Sequence, residues 1–174
     1  MGRNALITGA TRGIGLEVAR QLARAGFGLY LTGRDERRLA AVREELRAGG
    51  QARDLRDPAA VVELYGAARE AMGRVDVLVN NAGFDKAKDP LSRVTVGDLD
   101  DSYAVNLRAP ILLAREALRV MGDRGRGHIV NVLSRIVHAR MENYSVYTTM
   151  KCALHGFTGC LVKDARQVGV QVRG

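Results

Sequence analysis

Residues 6–15 read Leu6-Ile7-Thr8-Gly9-Ala10-Thr11-Arg12-Gly13-Ile14-Gly15. An apolar, strand-like run over Gly2–Thr8 enters three glycines, after which Ile14, Val18 and Leu22 recur at a helical interval as far as Gly26. Glycine permits a sharp turn and lets backbone amides approach a phosphate, which then sits at the positive end of the helix. The spacing Gly-x3-Gly-x-Gly differs from the commoner Gly-x-Gly-x-x-Gly. The strand–turn–helix context is what favours a nucleotide site over a plain turn.

Working outward, strands and helices alternate. Gly28–Thr32 reads as a second strand, and a helix runs from about Asp35 through Leu39, Val42 and Leu46 to a stop at Gly49-Gly50. Asp57-Pro58 is an N-cap followed by proline at the first helical position, and Val61, Tyr65, Ala68 and Met72 continue that helix. Val75–Val79 is nearly continuous apolar strand, as expected when helices cover both faces of a parallel sheet. A polar loop over Asp85–Asp98 precedes a long helical stretch from about Leu99 to Met121, which Pro110 should open near Asn106. Ile129–Leu133 is a strand, 144–167 a long helix, and Val170–Val172 a further strand. Little apolar sequence separates the second helix from Asp54, so the third strand is expected to be short or frayed. The pattern predicts an α/β fold, a three-layer doubly wound parallel sheet ordered 3-2-1-4-5-6 and shortened at its C-terminal edge, as one domain over residues 1–174.

Composition narrows the classes. At 174 residues, 47% apolar and 26% charged, the chain suits one soluble domain with a substantial core. No apolar run approaches the roughly 20 residues of a membrane span, and strand sequence beginning at the N-terminus leaves no room for a signal peptide. A cytoplasmic setting follows. Cys152 and Cys160, eight residues apart on one helix, lie too far apart for a disulfide and read as reduced thiols. The net charge of +8 comes mostly from scattered arginines without basic runs or stacking aromatics, so a solvated basic surface is preferred to a nucleic-acid site. His128, His138 and His155 lack metal-ligand spacing. His138 falls between Ser134 and Tyr147, near where a substrate would bind.

The remaining chemistry sits in the second half. Tyr147-Thr148-Thr149-Met150-Lys151 places a phenol and an ammonium at i and i+4, one above the other on a helix. Such a charge favours the phenolate and suits the tyrosine to proton transfer near neutral pH. Ser134 lies thirteen residues upstream of Tyr147. Singly, Ser134 reads as a strand-end serine and Asn106 as a polar helix residue.

Together, Thr8–Gly15, Asn80-Asn81-Ala82-Gly83, Asn106, Ser134 and Tyr147-x3-Lys151 occur in the order and approximate spacing of the short-chain dehydrogenase/reductase family. The chain resembles that family along its length. The resemblance implies a Rossmann-type fold and an NAD(P)-dependent oxidoreductase that transfers hydride between nicotinamide and a ketone or secondary alcohol. It assigns Tyr147 as acid/base, Lys151 to the nicotinamide ribose and the tyrosine pKa, Ser134 to the substrate oxygen and Asn106 to a proton-relay water. Gly9, Thr11, Arg12, Gly13, Ile14, Gly15, Asn81, Ala82 and Gly83 would line the cofactor, with Tyr147 and Lys151 at its nicotinamide end and Asp54-Leu55 at the adenine. Met150 departs from the serine that often precedes the family's lysine. No metal is implied. The long helices at about 99–121 and 144–167 imply a homo-oligomer.

Thr32-Gly33-Arg34 follows the second strand, where family members using NAD commonly carry an acid. Arginine pairs bidentately with a 2′-phosphate, so NADP is preferred and NAD is the alternative. Arg12 could approach the same phosphate, while Asp35, one residue on, is the competing acid. The family's substrate lid would follow Val170–Gly174. On that ground weakened cofactor binding and slow or absent turnover are expected unless a partner subunit supplies the lid, and a non-catalytic NADP-binding module is the rival reading.

Overall fold

The computed structural model describes residues 2–84, 89–139 and 141–174. Six parallel strands form one sheet ordered β3-β2-β1-β4-β5-β6. They are β1 (Asn4–Thr8), β2 (Gly28–Thr32), β3 (Gly49–Gly50), β4 (Val77–Asn80), β5 (Gly127–Asn131) and β6 (Val170–Arg173). The helices are α1 (Gly13–Arg24), α2 (Glu36–Leu46), α3 (Pro58–Met72), α4 (Val96–Tyr103), α5 (Ala109–Gly122), α6 (Ile136–Ala139) and α7 (Ser145–Gln167).

β1, β2, β4 and β5 supply apolar side chains to both faces, and this divides the core into two layers. Ala5, Ile7, Leu29 and Leu31 pack with Leu39 and Val42 of α2 on one side. Leu6, Leu78 and Ile129 pack with α3 and α5 on the other, through Val61, Leu64, Ala68, Leu113 and Ala117. The order reverses between β1 and β4, so the strand ends there diverge and leave a crevice. The strand order and the doubly wound layers are those the alternation implied.

Several boundaries differ from the expectation, each for a local reason. α1 buries Gly15 and Ala19, whereas Ile14 is 63% exposed at the crevice and is not a core residue. α2 ends at Leu46 because Arg47 adopts a left-handed conformation, φ 51°, and caps it. Gly49-Gly50 therefore forms the two-residue β3 and does not end the helix. The polar loop read over 85–98 lies partly outside the described residues and ends early. Thr95 and Asp98 form a reciprocal capping box that starts α4 at Val96. The stretch expected as one helix opens at Ala104–Arg108 into a π turn, between α4 and α5. Pro110 lacks the N–H that an α-helix would return to the Asn106 carbonyl, which accounts for the break falling there. α6, after Ser134, had no counterpart in the apolar pattern.

Candidate functional site

The turn after β1 is held from β4. The Thr8 hydroxyl accepts the backbone N–H groups of Asn81 (3.1 Å) and Ala82 (3.0 Å). The Asn81 amide donates to the carbonyls of Thr8 (3.0 Å) and Gly9 (3.1 Å). Gly9 takes φ 65°, and a Cβ there would come 2.8 Å from the Ala82 Cα. At Gly15 a Cβ would collide with the Asn81 amide and the Gly9 carbonyl. These glycines let two loops interlock at the floor of a cleft of about 790 Å3.

Gly9, Thr11, Arg12, Gly13 and Ile14 line this cleft, facing Asn81, Ala82 and Gly83, and Arg34 and Leu55 close its far end. Gly15 lies beneath, packed against Gly9 and Asn81. Asp54 is not among the lining residues. Its carboxylate turns onto Arg56, with Arg56 Nε 2.9 Å from Oδ2, and this pairing holds it below the usual carboxylate range. Four further lining side chains carried no motif: Arg38, Arg53, Phe84 and Val105. Arg38 lies in the first turn of α2, four residues after Arg34, which precedes the helix cap Asp35.

The other residues gather around α7. Lys151 is 4% exposed, and its Nζ donates to the Val132 carbonyl at 2.9 Å. Burial lowers its pKa to about 8. Its ammonium lies 5.8 Å from the centroid of the Tyr147 ring, which meets Tyr144 edge-on at 6.3 Å. Ser134 follows β5, and its hydroxyl accepts the Ile136 N–H at 3.3 Å where α6 begins. α6 packs on α7, with His138 edge-on to His155 at 6.3 Å. The π turn also packs on α7 and carries Asn106, which is fully buried. The Asn106 side chain clasps Phe84, donating to its carbonyl (2.8 Å) and accepting its N–H (3.1 Å), and donates to the Ser102 carbonyl (3.1 Å). None of Asn106, Ser134, Tyr147 and Lys151 lines the cleft itself; Asn106 adjoins its wall through Phe84.

A buried polar chain joins the layers. Asn80 donates to Asn131 at 2.9 Å, and Asn131 donates to the Thr158 hydroxyl of α7 at 2.9 Å. Among the described residues, no group of three or more His, Cys, Asp or Glu side chains is placed to hold a metal. No described helix is long and apolar enough to cross a membrane.

Comparison with known proteins places this arrangement. The sequence profile of the short chain dehydrogenases matches residues 3–174. Gluconate 5-dehydrogenase of Gluconobacter oxydans is 35% identical over 178 residues, 99% of this chain and 69% of that protein. The 3-oxoacyl-[acyl-carrier-protein] reductase of Aquifex aeolicus is 33% identical over 169 residues, 94% and 68% of the two. A metagenomic short-chain oxidoreductase solved in complex with NADP superposes with a TM-score of 0.94 at 37% identity, covering 98% of this chain and 80% of that one. The interlocked glycine turn, the strand order and the Tyr147–Lys151 helix thus share one origin: the chain belongs to the short-chain dehydrogenase/reductase family of oxidoreductases.

Proposed function

We propose that the chain binds NADP(H) across the cleft and interconverts a ketone and a secondary alcohol, with Asn106, Ser134, Tyr147 and Lys151 as its reactive set. The observation that carries the cofactor reading is the charge of the cleft, whose described lining residues include four arginines, Arg12, Arg34, Arg38 and Arg53, against one acid, Asp35. Asp35 is already engaged. It caps α2 by accepting the Arg38 N–H at 3.0 Å and pairs with the Arg38 side chain at 3.3 Å. An acid so occupied is a poor partner for a ribose hydroxyl, whereas free guanidiniums suit a 2′-phosphate. The neighbour solved with NADP has the same fold at 37% identity.

The residues fit such a cofactor. The glycine turn leaves backbone amides bare at the start of α1, where a pyrophosphate is favoured. When bound, NADPH supplies the hydride. Tyr147 would give its phenolic proton to the carbonyl oxygen, and Ser134 would donate a hydrogen bond to that oxygen. Lys151, anchored on Val132, would hold its positive charge beside the phenol and donate to the ribose. Asn106 would hold the relay water behind Lys151, and its side chain also fixes Phe84 at the cleft wall. Asp54, paired with Arg56, is the least supported of the assigned cofactor contacts.

The test is single-turnover reduction of a reactive diketone with bound NADPH. Tyr147→Phe is expected to abolish the step with NADPH affinity nearly unchanged, whereas full activity in that variant would sink the assignment. Tight NADPH binding with no turnover in the unmodified chain would instead favour the non-catalytic module, a reading that finds no support among relatives named as dehydrogenases and reductases.

A homo-oligomer belongs to the same proposal. Val96, Leu99 and Tyr103 recur at i, i+3 and i+7 on α4 and are all exposed, Val96 by 76%. A cytoplasmic setting suits the exposed free thiols of Cys152 and Cys160.

A further inference from the structure

Beyond β3 the chain continues alongside the end of β2. Gln51 N–H donates to the Leu31 carbonyl (3.2 Å) and Arg53 N–H to the Gly33 carbonyl (3.1 Å). An extended segment sends successive side chains to opposite sides. Arg53 lines the cleft and Asp54 does not. The Asp54 oxygens are taken by Arg56, whose Nε lies 3.0 Å from Oδ1 and 2.9 Å from Oδ2, and whose backbone N–H also donates to Oδ1 at 3.0 Å. Arg56 is tied in turn to Asp101 of α4 at 3.0 Å, so this carboxylate is held away from the cleft by a link between two elements. Arg53 is the reverse case. Its Nε is buried with no hydrogen-bond partner, and it makes no ion pair among the described residues. A buried guanidinium donor without a partner costs free energy that an anion would recover.

Resting on the NADP reading above, we propose that Arg53, and not Asp54, meets the adenosine end of the cofactor, as a ligand of its 2′-phosphate. The hydrogen bond from Arg53 N–H to the Gly33 carbonyl brings the Arg53 backbone beside the residue that precedes Arg34, and both arginine side chains line the same cleft. Arg38 is the less available cation because it is shared with Asp35. Selection for the phosphorylated ribose then comes from two arginines, Arg34 after β2 and Arg53 after β3, that make no ion pair among the described residues, and adenine is left to apolar contact with neighbours such as Leu55.

Calorimetric titration with adenosine 2′,5′-bisphosphate and with adenosine 5′-monophosphate tests this, because the two differ only in the 2′-phosphate. Arg53→Gln is expected to weaken the bisphosphate by about tenfold or more, the worth of one charge-assisted hydrogen bond. The monophosphate should change by less than about twofold, and Arg53→Lys should recover part of the bisphosphate affinity. Equal loss for both ligands would put Arg53 on the base or the 5′-phosphate and overturn the proposal, as would no loss for either. Asp54→Asn is expected to weaken neither; a marked loss of monophosphate affinity would return Asp54 to the adenine. If the unmodified chain does not prefer the bisphosphate, the NADP reading itself fails. If it does and Arg53→Gln retains that preference, only the Arg53 assignment fails.

Discussion

The ammonium of Lys151 is buried and donates to the carbonyl of Val132 at 2.9 Å, which ties α7 to the chain leaving β5. Among the described residues no carboxylate pairs with it, and burial lowers its pKa from 10.5 to about 8. The sign of the linkage follows. Between those two values the unfolded chain binds more protons than the folded one, so stability rises with pH across that window. Below about 8 the folded protein carries the whole cost of burying the charge.

Lys151→Met removes that charge at similar volume. Below pH 8 the variant, free of cofactor, is expected to be the more stable in urea, by roughly 1–3 kcal/mol. The gap should shrink as pH rises toward 10.5 and the native lysine sheds its proton. A difference independent of pH across this range would show that the lysine is not desolvated as described. The variant should also lose hydride transfer, because nothing then holds charge beside Tyr147.

Asn106→Ala tests a different link. The side chain satisfies both backbone groups of Phe84 and the Ser102 carbonyl from a fully buried position. Truncation leaves these groups unpaired at about 1–3 kcal/mol each before relaxation. A loss of about 2–4 kcal/mol in urea is expected, together with weaker cofactor binding, because Phe84 forms part of the cleft wall. Unchanged stability would mean that the clasp on Phe84 contributes little.

These residues also mark how far the sequence could be read. Sheet order was legible because each strand is a short apolar run and each helix a repeating stripe, and both signals are local. The break at Asn106 was legible because Pro110 removes one known donor. By contrast β3, with only two glycines, carries no pattern; its pairing is dictated by Tyr30 and Leu31 on the neighbouring strand. α6 is a single turn, too short to show a period. At the site, Gly9, Thr11, Arg12, Gly13 and Ile14 border the cleft and Gly15 lies beneath it. That Arg53 and not Asp54 lines the cleft was not legible, because Asp54 is engaged by Arg56, which is itself paired with Asp101 some forty-five residues on. The clasp of Asn106 on Phe84 is likewise a contact across 22 residues, without any periodic signal.

Gly15→Ala probes the floor of the cleft. The added methyl group would meet the Asn81 amide and the Gly9 carbonyl, the pair that locks the glycine turn to β4. Overpacking of this kind costs about 1–3 kcal/mol. The turn should also shift enough to lower NADPH affinity by more than about tenfold, since amide contacts with a phosphate depend closely on position. Wild-type affinity in a folded Gly15→Ala protein would show that the pyrophosphate binds elsewhere.

Arg34→Glu tests the charge logic of the far end. Arg34 is exposed, makes no ion pair among the described residues, and stands with its guanidinium 5.9 Å from the Phe84 ring centroid. Reversing its sign sets a carboxylate against a 2′-phosphate while offering an acceptor to a 2′-hydroxyl, so the two cofactors respond in opposite directions. NADPH affinity is expected to fall by about a hundredfold or more, from the lost pairing and the new repulsion together. NADH affinity should hold or rise. Asp35 remains committed to Arg38 and the start of α2, so it would not mask the effect. Parallel titrations of NADPH and NADH into the variant decide the matter. A matched decrease in both would mean that Arg34 supports the shape of the cleft and does not read the ribose. No change in either would place the 2′-phosphate beyond its reach.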